Sequence, residues 1–156
     1  MKEKIWLSSP HMGGNELKYI HQAFEENWVA PLGPNVNGFE EDLQHFLGNG
    51  VKVSALSAGT AALHLALIEC GVQAGDEVLC QSMTFSASAN PIVYQGATPV
   101  FVDSEEKTWN ISPAFLEEAI ADRIKKGKKP KAIIAVSLYG MPFWVDEVLA
   151  LCEKYD

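Results

Sequence analysis

The chain of 156 residues predicts an α/β fold: a mainly parallel sheet flanked by helices, preceded by a helical amino-terminal segment. Three observations carry this. From about residue 50 onward, short β-rich runs alternate with amphipathic helical stretches, which is the pattern of βαβ units. Gly71 and Gly96 fall where helices need a residue free to turn left-handed at the C-cap. Ser112-Pro113 marks a helix start, with a side-chain acceptor at the N-cap and a proline at the first helical position, where its missing N–H leaves no bond unmade. At this length roughly 70% of the unfolded surface is buried on folding, enough for one sizeable core.

Taken in order, residues 15–26 place Leu17, Ile20 and Phe24 on one helical face, and residues 39–47 do the same with Phe39, Leu43 and Phe46. The loop between these helices, NWVAPLGP, combines an aromatic, two prolines and a glycine, a stiff composition suited to holding a few side chains against a ligand. Strands are expected at 53–57, 77–81, 99–103 and 132–138, and helices at 60–70, 86–94, 113–125 and 144–155. No internal repeat, low-complexity tract or linker interrupts the chain.

Composition narrows the function. A net charge of −8 is unsuited to a phosphate backbone, which needs a concentrated cationic surface. The one basic cluster, Lys125 to Lys131, follows a helix pattern and reads as a solvated helix end that complements the dipole. Cys70, Cys80 and Cys152 are widely spaced, with no CxxC and no histidine at ligand spacing, so buried reduced thiols are expected and no metal site. No run approaches the ~20 apolar residues of a spanning helix. The start of the chain carries Lys2, Glu3 and Lys4 instead of an apolar signal core, and the expected location is the cytoplasm.

The most informative stretch is SALSAGTAALHLAL, where a strand gives way through small residues to a helix. The first amides of a helix have no intrahelical acceptor and sit at the positive end of its dipole. Ala58, Gly59 and Thr60 are therefore candidates to cradle a phosphate, with the Thr60 hydroxyl as a further donor. Such turns also occur without ligands, and from the residues alone both readings stand. The run Gln81-Ser82-Met83-Thr84-Phe85 leaves the next strand at its carboxyl end, where α/β sheets bind ligands. Phe85 is a candidate to lie on a flat heterocycle, the alternative being a core residue. His64 reads as a packed boundary residue, His21 and His45 as surface residues of helices, and His11 as part of the SPHMGG segment near a substrate edge.

In this order SSPHMGGNELKYI, NWVAPLGPNV, SAGTAALHLAL, GDEVLCQSMTFSASANPIVYQGATPVFVD, WNI and PKAIIAVSLYG closely resemble the DegT/DnrJ/EryC1/StrS aminotransferase family, over essentially the whole chain. Within it, the opening and the NWVAPLGP loop look most like enzymes that aminate UDP-linked 4-keto-6-deoxy-N-acetylhexosamines, the bacillosamine type. The resemblance implies the amino-terminal part of the type I fold of pyridoxal phosphate (PLP) enzymes. It also implies a homodimer and transfer of an amino group from glutamate to the C4 ketone of a nucleotide sugar. Carried over to this sequence, Ala58, Gly59 and Thr60 match the phosphate-binding turn, Phe85 matches the aromatic that stacks on the pyridine ring, and Asn27, Trp28, Val29 and Ala30 match a loop that contacts the sugar nucleotide. Two positions depart from the pattern: Ala58 stands for a serine and Ser137 for a histidine.

The resemblance further implies that residues 1–50 form a helical segment with the substrate loop and residues 51–156 an incomplete cofactor-binding domain. The Schiff-base lysine and the carboxylate beside the pyridine nitrogen are expected past Asp156, so no catalytic residue is assigned in this chain and it is expected to be inactive alone. A branch of the same family dehydrates at C3, and a non-catalytic sugar-nucleotide or phosphate-binding module is the other alternative.

Overall fold

The computed structural model describes residues 4–6 and 9–156; the expectations resting on Met1, Lys2, Glu3 and Ser8 lie outside them. The chain divides into two compact units, Met1–Ala55 and Leu56–Asp156.

The first unit holds helices α1 (Glu16–Glu25) and α2 (Pro34–Leu47). The predicted helix at 39–47 begins earlier because Pro34, with φ fixed by its ring, opens the first turn after Gly33. Helix α1 ends in a Schellman motif: the Trp28 amide donates to Ala23 O at 2.7 Å and the Asn27 amide to Phe24 O at 3.2 Å, with Asn27 left-handed at φ 58°. The apolar faces that predicted both helices stay open, Leu17, Phe24, Phe39 and Phe46 all being exposed.

The second unit carries helices α3 (Gly59–Glu69), α4 (Asn90–Tyr94), α5 (Pro113–Lys125) and α6 (Val145–Tyr155), strands β1 (Glu77–Gln81), β2 (Thr98–Val102) and β3 (Ala132–Ile134), and 3-10 turns at Ser86–Ser88 and Leu138–Gly140. The sheet is parallel in the order β2-β1-β3, with Leu79 opposite both Val100 and Ile133. Central β1 is buried at every position, and its alternation sorts two cores. Val78 and Cys80 face Leu67, Ile92 and Ile134, while Leu79 faces Val102, Leu116, Ile120 and Leu151. Helices thus cover both faces, as a parallel sheet requires.

The predicted strand at 53–57 does not form, because among the described residues no neighbouring strand accepts its backbone bonds. The predicted helix at 86–94 is interrupted: the 3-10 turn gives way at Ala89 to α4, which carries Pro91 in its first turn. Gly96 confirms its predicted role. At φ +72° it lets the Ala97 amide reach Ile92 O at 3.1 Å, and a Cβ there would stand 3.0 Å from Ala74 Cβ.

At the start of β1, buried Glu77 takes the Arg123 guanidinium in a fork at 2.7 and 2.8 Å, tying the end of α5 to the sheet. The same carboxylate raises the Arg123 pKa, with Asp122 adding to it. The rest of the basic cluster is exposed, Lys126 pairing with Asp122 at 2.8 Å. The expectation of three buried thiols holds only for Cys80, since Cys70 caps α3 and Cys152 lies on the outer side of α6, both exposed. Burial pushes the Cys80 thiol up to about 11. An alkylating reagent at neutral pH should therefore modify Cys70 and Cys152 in the folded chain and Cys80 only after denaturation; equal rates at all three sites would contradict this sheet.

Candidate functional site

At the start of α3, Ala58 is the N-cap in extended conformation (φ −161°, ψ 157°), with no side-chain cap. The first helical bond runs from the Ala62 amide to Ala58 O at 3.1 Å. The amides of Gly59, Thr60 and Ala61 have no protein acceptor among the described residues. Ala58 and Gly59 are exposed and Thr60 is half-buried, so these donors open to solvent at the positive end of an eleven-residue helix. A side chain would have competed for one of these donors; the alanine at the cap leaves all three free.

Phe85 follows the carboxyl end of β1 and is 75% exposed, so it is not a core residue. The 3-10 turn that begins at the next residue packs against α3, which brings the Phe85 segment and that helix together. The segment is anchored on both sides. The Ser82 amide donates to Val102 O at 2.9 Å, and the hydroxyls of Thr84 and Ser88 share a bond of 2.9 Å. Met83, Thr84, Phe85, Leu138 and Tyr139 line a cleft of about 190 Å³ at this edge of the sheet.

Two fully buried amides hold residues that line that cleft, and the sequence reading gave neither a role. Gln81, the last residue of β1, accepts from the amides of Ile111 and Val136 with Oε1, both at 3.2 Å, and donates from Nε2 to Met83 O at 2.7 Å. Asn110 donates to Met141 O and accepts from the Leu138 amide, both at 2.8 Å. Asn110 reaches this position because the chain after β2 doubles back, with Glu105 N bonded to Asn110 O at 2.9 Å and an antiparallel bridge between Ser104 and Ile111. Inside that loop the Thr108 hydroxyl donates to the Glu105 carboxylate and lowers its pKa. The available signal was the WNI segment together with an amide ending a buried strand whose middle three residues are apolar.

The same bonds explain why β3 is shorter than the predicted 132–138. The amides of Val136 and Leu138 go to Gln81 and Asn110 instead of to a strand, and the chain turns at Leu138–Gly140. Ser137 opens this turn and is exposed.

Asn27, Trp28, Val29 and Ala30 belong to the first unit and are all exposed. Asn27 has a structural reason for its place as the left-handed cap of α1. Trp28 lies over Gly33, where an added Cβ would stand 3.2 Å from its ring, so the loop folds on itself and presents Val29 and Ala30 outward. His64 meets Tyr94 edge-on at 5.7 Å, a packed boundary residue, and His11, His21 and His45 are exposed. Every described lysine is exposed, none in the desolvated setting that activates a lysine. A depression of about 160 Å³ beside β3, lined by Leu79, Ile133, Leu151 and Tyr155 among others, also takes in Lys129 to Lys131 ahead of β3 and so opens away from this edge.

The model of the DegT/DnrJ/EryC1/StrS aminotransferase family matches residues 10–156. EpsN of Bacillus subtilis (strain 168), whose name assigns it provisionally to the pyridoxal phosphate-dependent aminotransferases, is 54% identical over 99% of this chain and 40% of its own length. GDP-perosamine synthase of Escherichia coli O157:H7 is 37% identical over 96% of this chain and 39% of its own. Among solved structures, Spr1654 of Streptococcus pneumoniae, titled provisionally as a sugar aminotransferase and solved in its PMP-form, superposes with a TM-score of 0.82 at 32% identity, over 97% of this chain and 36% of that one. The chain thus spans about 40% of the length of the curated relatives it matches.

Proposed function

Because this chain belongs to the DegT/DnrJ/EryC1/StrS aminotransferase family, we propose that it forms the part of a sugar aminotransferase that seats PLP and meets a nucleotide-linked sugar. The observation that carries this is the row of free amides at Gly59, Thr60 and Ala61, a ready anion site on the helix that packs against the turn following exposed Phe85. Ala58, Gly59 and Thr60 bind the phosphate and Phe85 lies on the pyridine ring, while Asn27, Trp28, Val29 and Ala30 contact the sugar nucleotide. The bound cofactor supplies the electron sink that no side chain offers.

The reaction is transfer of an amino group from glutamate to the C4 ketone of a nucleotide-linked 4-keto-6-deoxy sugar, by a homodimer in the cytoplasm. The lysine step is assigned to no residue of this chain. In this reading residues 1–50 are the substrate-loop segment and 51–156 belong to the cofactor-binding domain. The name of GDP-perosamine synthase supports a nucleotide-linked substrate, and the PMP-form of Spr1654 supports the cofactor.

Pyridoxamine 5′-phosphate at a hundred times its dissociation constant should stabilise the chain by ~2.7 kcal/mol in thermal unfolding. UDP-N-acetylglucosamine should act likewise. No shift with either ligand would remove the binding function.

A further inference from the structure

Two bulky residues near buried Asn110 are left-handed, Trp109 beside it in the chain at φ 64° and Tyr139 in the cleft lining at φ 51°. Bulky side chains rarely hold this conformation, and where they do the surroundings over-determine it. Here buried Asn110 does so. It follows Trp109 in the chain and clamps the turn around Tyr139 from both sides, through the Leu138 amide and Met141 O.

The clamp does not tuck Tyr139 away. The residue is 66% exposed and shares the Phe85 cleft, yet among the described residues the one aromatic ring pair is His64 with Tyr94. Phe85 and Tyr139 therefore border a gap of about 190 Å³ without filling it with each other. For scale, a cavity of roughly 150 Å³ accommodates a benzene ring.

We infer that Tyr139 is a second aromatic wall of the Phe85 cleft, touching the edge of a flat phosphorylated heterocycle, and that Asn110 is its positioning residue. This rests on the cofactor reading above. The tyrosine suits the edge of such a ring, since its apolar body packs against carbon while its hydroxyl remains available at the solvent rim.

The test is calorimetric titration of the whole chain with pyridoxamine 5′-phosphate, which has no aldehyde to react with surface lysines, alongside melting curves of each variant. Tyr139→Gly relieves the left-handed backbone while deleting the ring, so it should weaken binding about tenfold with the melting temperature held or raised. Tyr139→Phe should keep most of the affinity, and Phe85→Ala should weaken binding about tenfold. Wild-type affinity in Tyr139→Gly together with weakened Phe85→Ala overturns this inference and leaves the cofactor reading standing. A parallel fall in affinity and melting temperature in Tyr139→Gly also overturns it, because the residue would then merely hold the turn. Absence of saturable binding in the unaltered chain overturns both.

Discussion

Gln81→Leu should destabilise the second unit by about 3 kcal/mol, although leucine nearly matches glutamine in volume and is more apolar. The cost comes from the partners left behind. With Oε1 gone, the Ile111 amide, in a residue fully shielded from solvent, and the Val136 amide both lose their acceptor, and Met83 O loses a donor. A buried donor or acceptor deprived of its partner costs ~1–3 kcal/mol, which outweighs the gain from burying a more apolar side chain at one position. For a chain of this size the melting temperature should fall by roughly 6–12 °C. In urea the midpoint should drop with the slope unchanged, since the same surface is exposed on unfolding. A loss below about 1 kcal/mol would show that water replaces the carboxamide, and the account of how β1, the Ile111 loop and the end of β3 are joined would fail. The same variant loosens the segment that presents Phe85, because Met83 O is one of the three groups released.

How far such features were legible in the sequence depended on whether their cause was local. Helix α5 matched its expectation at both ends because Ser112 and Pro113 settle the start by themselves, the serine accepting from the Phe115 amide at 3.4 Å. Strand β1 matched as well, a short apolar run between turns. Elements whose limits depend on distant partners were misjudged. Residues 53–57 have strand composition, but a strand exists only with a neighbour to bond it. Val136 and Leu138 extend the pattern of β3, yet their amides are captured by Gln81 and Asn110, which lie 55 and 28 positions away from the residues they bind.

The candidate site divides along the same line. Ala58, Gly59 and Thr60 could be named because small residues at a helix start are a local signature, and the amides of Gly59, Thr60 and Ala61 have no protein acceptor among the described residues. Phe85 could be placed at the sheet edge by counting from β1, but only coordinates distinguish an exposed ring from a core one. Tyr139 could not be found this way. Nothing in Leu138-Tyr139-Gly140 announces a left-handed tyrosine; that conformation is imposed by an asparagine in another loop.

Gly59→Pro separates the fold from the anion site in a way few substitutions can, because here the two respond in opposite directions. Gly59 is the first helical residue after the N-cap, where proline's fixed φ is already helical and its missing N–H breaks no protein bond. Ala58 before it is extended, the conformation that a following proline requires, and an atom added at the Gly59 Cβ position meets nothing within 4 Å. Replacing the most flexible residue by the stiffest narrows the unfolded ensemble, so stability should hold or rise by up to ~1 kcal/mol. The lost amide is one of the three proposed to face the phosphate, and a hydrogen bond to a charged group contributes ~1.5–3 kcal/mol. Pyridoxamine 5′-phosphate should therefore bind roughly ten- to a hundredfold more weakly to a chain that melts no earlier than the original. Gly59→Ala, which keeps the amide, should bind as before. Undiminished affinity in Gly59→Pro would mean that the phosphate is held elsewhere, and the α3 N-terminus would then be a helix start left open to water.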